Sequence, residues 1–191
     1  MSELTQTLLI PDWPAPASVR ACVTTRRGGI SLPPYDTLNL GDHVGDDPVA
    51  VAENRRRLSC EFAIQPAWLK QVHGLVVADA DPTAVAEADA SWTHQPGIAC
   101  TVMTADCLPA LFCDRAGTRV AAAHAGWRGL AGGVLEATLQ RLALAPEEVL
   151  VCWARLSARK RSKWGWKCAM LSPPCTPKQR VPSSRARGLA S

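Results

Sequence analysis

The stretch "GIACTVMTADCLPALFCDRAGTRVAAAHAGWRGL", residues 97–130, decides the fold. Residues 98–103 form a nearly continuous apolar run that ends in the polar Thr104-Ala105-Asp106, the pattern of a buried strand whose end opens at a site. The next two runs, "PALFCD" and "RVAAAHA", flank a turn containing Gly117 and read as a hairpin. Beyond them "GLAGGVLEATLQRLAL" has the spacing of one amphipathic helix, and "PEEVLVCW" returns to strand character. Toward the N-terminus, "AWLKQVHGLVVADAD" also has strand character, with His73 beside Gly74 at a bend or bulge. "DDPVAVAENRRRLSCEFAI" reads as a helix with Asp46 or Asp47 as N-cap and Pro48 in its first turn. Before it lie a short strand in "RACV", a Gly28-Gly29 turn and a long loop rich in Pro, Gly, Asn and Asp. Strands and helices mixed in this way, with a hairpin among them, imply an α/β or α+β fold built on a mixed sheet.

The chain has 191 residues, 47% hydrophobic and 20% charged, which is ordinary composition for one globular unit with its own core. No apolar run approaches the roughly 18–20 residues of a membrane helix. The first residues lack the basic start and small-residue cleavage site of a secretory signal, so no membrane association and a cytoplasmic location are expected. The net charge of +4 is unevenly placed: 10 of the 21 Lys and Arg lie from Arg155 onward, where no acidic residue occurs. Residues 1–154 therefore hold 11 basic against 17 acidic side chains, a net of −6. Eight cysteines show no tight spacing, and without a secretion signal they are expected as reduced thiols.

His73, Cys107 and His124 each fall at or near a strand end beside glycine or small residues. Two imidazoles and a thiolate form a natural zinc set, and three protein ligands leave a fourth position for water or substrate. Taken singly, each has a plainer reading, a packed thiol or a hydrogen-bonded core histidine. A third reading needs no metal: Cys107 as a nucleophile whose thiolate is favoured by His124. Asp106, beside Cys107, could orient either this or the metal arrangement. Arg26 and Arg128 stand by glycines in apparent turns, where a guanidinium could hold phosphate or carboxylate. Asn39, His43 and Asp89 are polar loop candidates for substrate contact, with turn formation as the plain alternative for Asn39 and Asp89. The chain has no phosphate-binding P-loop, no dinucleotide fingerprint and no HxE with PCxxC of the zinc deaminases.

The segments "TTRRGGIS", "YDTLNLGDHVGDD", "ENRRRL", "WLKQVHG", "ADA", "VMTADCLPALFCDRAG" and "VAAAHAGWRGLAGGVLE", running in order between Leu9 and Trp153, together resemble the YfiH family. This is also called the laccase-domain or polyphenol-oxidase family and the peptidoglycan editing factor PgeF. The resemblance implies a layered α/β-β-α sandwich with mixed sheets, and a metal site at His73, Cys107 and His124 holding zinc, with copper as the alternative. It implies a purine nucleoside phosphorylase acting on adenosine, inosine and methylthioadenosine with adenosine deaminase activity beside it. Its partners would be a purine nucleoside and phosphate, with Arg26, Asn39, His43, Asp89 and Arg128 as substrate contacts and no nucleic acid. Other assignments in the family are a copper laccase and a factor correcting peptidoglycan precursors. One His2Cys set does not supply the several coppers a laccase needs, so purine chemistry ranks first.

After Trp153 the resemblance stops. Where the family would continue with a segment like "GPxxFEVG", this chain reads "ARLSARKRSKWG", residues 154–165. Codons can be chosen for that stretch which, read one nucleotide out of register, spell "GPLIGPKAFEVG". Residues 1–153 are therefore expected to be the catalytic domain, incomplete at its C-terminus, and residues 154–191 a non-homologous, frameshifted and disordered tail. Loss of the later strands would expose sheet edges and weaken folding. Two further readings compete with the phosphorylase: a metal-free Cys-His hydrolase acting on peptidoglycan-type amides, and a non-catalytic protein whose basic tail contacts nucleic acid.

Overall fold

The computed structural model describes residues 3–153 and 167–172, the latter as a backbone strand. Helix α1 (Glu3–Gln6) and strand β1 (Arg20–Val23) are followed by a long loop and helix α2 (Pro48–Phe62). Asp47 caps α2, its carboxylate accepting from the amide of Val49 at 2.9 Å, with Pro48 at the first turn. Short strands β2 (Gln65–Ala67), β3 (Leu69–Lys70), β4 (Val77–Asp79), β5 (Ala86–Glu87) and β6 (Ala90–Thr93) precede the long β7 (Ile98–Thr104), β8 (Leu108–Asp114) and β9 (Val120–Ala125). Helices α3 (Trp127–Gly132) and α4 (Val134–Leu142), a 3-10 turn (Pro146–Glu148), β10 (Val149–Trp153) and β11 (Lys167–Ser172) complete the described residues.

The strands form two mixed sheets and a small pair. One sheet runs β1-β11-β7-β2, the other β10-β8-β9-β6-β4, and β3 pairs with β5. β2–β7 and β4–β6 are parallel and the remaining ladders of the two large sheets antiparallel. Period-two alternation then sorts the side chains. On the central hairpin Leu111, Cys113, Val120 and Ala122 face the first sheet's Val23, Ala67, Cys100 and Val102. Ala110, Phe112, Ala121 and Ala123 face the other way, onto Val134 and Leu142 of α4. Helix α2 covers the outer face of the first sheet through Leu58, against Cys22, Leu38 and Leu40. The result is the four-layer α/β-β-α sandwich expected from the sequence.

The hairpin turn between β8 and β9 is held by Asp114, whose carboxylate accepts from the amides of Thr118 (2.6 Å) and Arg119 (2.9 Å) and from the Thr118 hydroxyl (2.6 Å). Gly117 supplies the positive φ of 72° that the turn requires. The single helix expected after the hairpin is two. Gly133, at φ 100°, stops α3 with its amide bonded to the carbonyl of Gly129, and α4 starts afresh beyond it. The strand expected through residues 67–81 is likewise interrupted: β3 ends at Lys70, and His73 takes a left-handed φ of 61° before β4 begins. Of the tail expected to be disordered, residues 154–166 and 173–191 lie outside the described residues, while Lys167–Ser172 lies between β1 and β7 with antiparallel pairing to both. No helix among the described residues is long and apolar enough to cross a membrane.

Candidate metal centre

Three residues far apart in sequence meet where the ends of strands converge. His73 comes from the bend after β3, Cys107 from the tight link between β7 and β8, and His124 from the penultimate position of β9, paired with Pro109. Their ligand atoms all lie within 4.8 Å of one another, and Cys107 Sγ is 3.8 Å from His73 Nε2. The two imidazoles meet edge to face, with ring centroids 4.7 Å apart. Burial is graded, with His73 exposed, Cys107 intermediate and His124 buried, so the cluster opens to solvent on one side.

Asp89, immediately before β6 and fully buried, stands behind the histidines. Its Oδ1 is 2.8 Å from His124 Nδ1 and accepts from the amide of His73 at 2.9 Å. Its Oδ2 accepts from the amides of Gly74 at 2.6 Å and Val72 at 3.1 Å. Burial alone would raise the Asp89 carboxyl, but the hydrogen bonds from His124 and from the amides of Gly74, Val72 and His73 outweigh it and hold the group below the ordinary carboxylate value. An ionised Asp89 places the His124 proton on Nδ1. That leaves the Nε2 lone pair buried and without a hydrogen-bond partner.

A buried, unpartnered imidazole nitrogen is costly unless something occupies its lone pair. Around a tetrahedral zinc, ligand atoms would stand roughly 3.3–3.8 Å apart given bonds of about 2.0–2.3 Å. The 3.8 Å between Cys107 Sγ and His73 Nε2 sits at that spacing, and the 4.8 Å limit on the set requires only a small contraction. Gly126 forms the floor: a Cβ there would come within 2.8 Å of His73 Cδ2 and 3.0 Å of Cys107 Sγ. The donor set, the orphaned nitrogen and the glycine cradle fit a divalent ion. Burial pushes the Cys107 thiol up, and the neighbouring Asp106 carboxylate pushes it further. The imidazole contact of Cys107 is to His73 rather than to the His124 expected to activate it.

The loop residues expected to touch substrate behave differently from one another. Arg26 donates to the carbonyls of Asp36 (3.1 Å) and Pro34 (3.0 Å) and lies 3.4 Å from the Asp36 carboxylate, within its own loop. Buried Asn39 donates to the carbonyl of Gly41 (3.0 Å) and to Asp46 (2.9 Å) and accepts from the Gly41 amide (3.1 Å). His43 is half exposed beside Asp42, at 3.5 Å. Arg128 is exposed, its guanidinium 5.2 Å from the ring centroid of Trp127, which is itself 74% exposed and directly follows the cradle glycine. The sequence reading did not single out Gly126, or Gln71. The Gln71 side chain pairs with both backbone groups of Met103, at 2.7 and 2.8 Å, and fastens the His73 bend to β7.

Residues 20–155 match the family described as "Multi-copper polyphenol oxidoreductase laccase". The chain is 68% identical over 143 residues to a purine nucleoside phosphorylase of Pseudomonas aeruginosa, covering 75% of this chain and 59% of that protein. It is 56% identical over 147 residues to the purine nucleoside phosphorylase YfiH of Escherichia coli, covering 75% and 60% respectively. Among solved structures, a Neisseria meningitidis protein of the DUF152 family superposes with a TM-score of 0.74 at 52% identity, over 76% of this chain and 61% of that one. The chain thus spans about three-fifths of the length of these relatives. With its layered fold, its converged His-Cys-His set and these likenesses, the chain belongs to the YfiH family of laccase-like domains.

Proposed function

We propose that the protein is a zinc-dependent purine nucleoside phosphorylase acting on adenosine, inosine and methylthioadenosine, with adenosine deaminase activity at the same centre. The observation that carries the metal assignment is the buried His124 Nε2, unpartnered and converging with His73 and Cys107. The names of the relatives supply the nucleoside and phosphate. Zinc suits the site because the Cys107 thiolate and the buried Asp89 carboxylate together balance a divalent charge. When bound, the ion supplies Lewis acidity at a water-accessible position. His124 is held in one tautomer by Asp89, and exposed His73 and half-buried Cys107 frame the open side. Trp127 offers an aromatic face beside the cradle on which a purine can stack, and Arg128 offers a cation for phosphate.

A copper oxidase is the weaker reading. Among the described residues one group of three metal-capable side chains occurs, and electron transfer to oxygen by a multicopper enzyme needs several. A cytoplasmic location goes with the proposed nucleoside substrates. The test is metal content and adenosine turnover, with and without phosphate, on the purified chain and on Cys107→Ala. About one zinc per chain and phosphate-dependent adenine release, both lost in the variant, are expected. Release of free adenine that does not depend on phosphate, or activity unchanged in Cys107→Ala, overturns the reading.

A further inference from the structure

We infer that Asp89 is a positioning residue that templates both imidazole ligands from a single carboxylate, an inference that rests on the metal reading above. Each of its oxygens has its own task. Oδ1 bridges the two ligands, since it contacts Nδ1 of His124 and accepts from the backbone amide of His73. Oδ2 accepts from the amides on either side of His73, those of Val72 and Gly74. Three consecutive amides thus converge on one carboxylate and hold the bend in which His73 adopts its left-handed φ of 61°. The non-glycine backbone does not favour that conformation unaided, and the Asp89 anion is what gathers these N–H groups.

The two halves of the arrangement have one geometric consequence. Accepting from His124 Nδ1 turns Nε2 toward Cys107 and His73, and accepting from residues 72–74 carries the His73 ring to the same point, with its centroid 4.7 Å from that of His124. Asp89 is itself anchored, because its backbone carbonyl accepts from the amide of His124 at 2.7 Å and its amide donates to the carbonyl of Val76 at 3.1 Å. A fully buried carboxylate with four hydrogen-bond partners, every one of them on a metal-ligating residue or its immediate neighbour, serves the orientation of the site.

The test has an arm on the wild-type chain and an arm on Asp89→Asn, which keeps the volume but places an NH2 group against donors. On metal-free wild-type protein, nitrogen-15 NMR of the imidazoles should show His124 as the Nδ1–H tautomer. The Nε2–H tautomer would overturn the inference without any variant. Zinc competition against a chelator should show affinity lowered about 10–100-fold in Asp89→Asn. The cobalt-substituted variant should keep its thiolate charge-transfer band from Cys107 but lose the intense visible absorption of a four-coordinate site. A folded Asp89→Asn protein with unchanged zinc affinity and an unchanged cobalt spectrum overturns the inference. Absence of zinc binding by the wild-type chain sinks the metal reading instead, and the tautomer measurement then still decides the role of Asp89.

Discussion

Gly126 and Cys107 share one wall of the cluster so closely that a Cβ on Gly126 would lie 3.0 Å from the sulfur. The backbone of Gly126, at φ −66° and ψ 161°, is one that any residue adopts, so the demand at this position is for space alone. Gly126→Ala should therefore leave the fold intact and damage the site, because the methyl group also meets His73 Cδ2 at 2.8 Å. Displacing either ligand by even a fraction of an ångström toward 1 Å can cost on the order of 10²-fold in turnover. Zinc titration and thermal melting of the variant check this. A melting temperature that falls while zinc affinity holds would show that the glycine serves packing rather than the centre.

Asp114 gives the fold an acid limit. Burial raises its carboxyl, but the hydrogen bonds from the Arg119 amide and from the hydroxyl and amide of Thr118 outweigh burial and hold it below its ordinary 3.8. A group whose native value is depressed contributes stability that is complete above the ordinary value and is lost as pH falls through the native one. Urea midpoints measured from pH 7 down to pH 2 should decline below about pH 4. Asp114→Asn should cost about 1.5–3 kcal/mol at pH 7 and show a shallower acid decline. Parallel acid profiles for the two proteins would assign the loss to other carboxylates.

The hairpin and its partner strand were legible in the sequence because their apolar runs are long and a glycine turn separates two of them. The cap of α2 was legible because Asp47 and Pro48 act locally. The split between α3 and α4 was not, since the apolar spacing runs on through Gly132 and Gly133, and only the left-handed φ of Gly133 ends the first helix. The ligands His73, Cys107 and His124 were found from residue type and strand-end position. Asp89 stood among loop candidates because nothing local marks it: its partners lie 15–17 and 35 residues away. Gly126 was missed for the same reason, as the atoms that crowd it belong to the bends at His73 and Cys107.

Phe112 tests the independence of the two faces of the central sheet. It is 1% exposed and packs toward α4, among Ala110, Ala121, Ala123, Val134 and Leu142. The neighbouring alanine methyls cannot fold into the space it would vacate, so Phe112→Ala should cost about 3–5 kcal/mol. His124 lies on the opposite side of the same strands, by alternation along β9, with Ala122. Zinc stoichiometry measured well below the melting temperature should therefore be unchanged. A variant that melts early and also loses zinc would couple the helix layer to the centre.

The place of β11 makes the reading frame after Trp153 a structural matter. β11 pairs with β1 on one side and β7 on the other, so among the described residues it is the strand that joins β1 to the rest of its sheet. The family match ends at residue 155, two positions beyond Trp153. A frame change there predicts that the coding DNA, read one nucleotide out of register over codons 154–165, encodes a segment like "GPxxFEVG". Codons that forbid this reading would sink the idea. Two variants carry the consequence for folding. A stop after Trp153 removes β11 and leaves β1 and β7 with open edges, so it should elute as aggregate in size-exclusion chromatography. Restoring the alternative frame should raise the melting temperature above that of the present chain. An aggregate-free truncated chain with an unchanged melting temperature would mean that the sheet does not depend on its β11 strand.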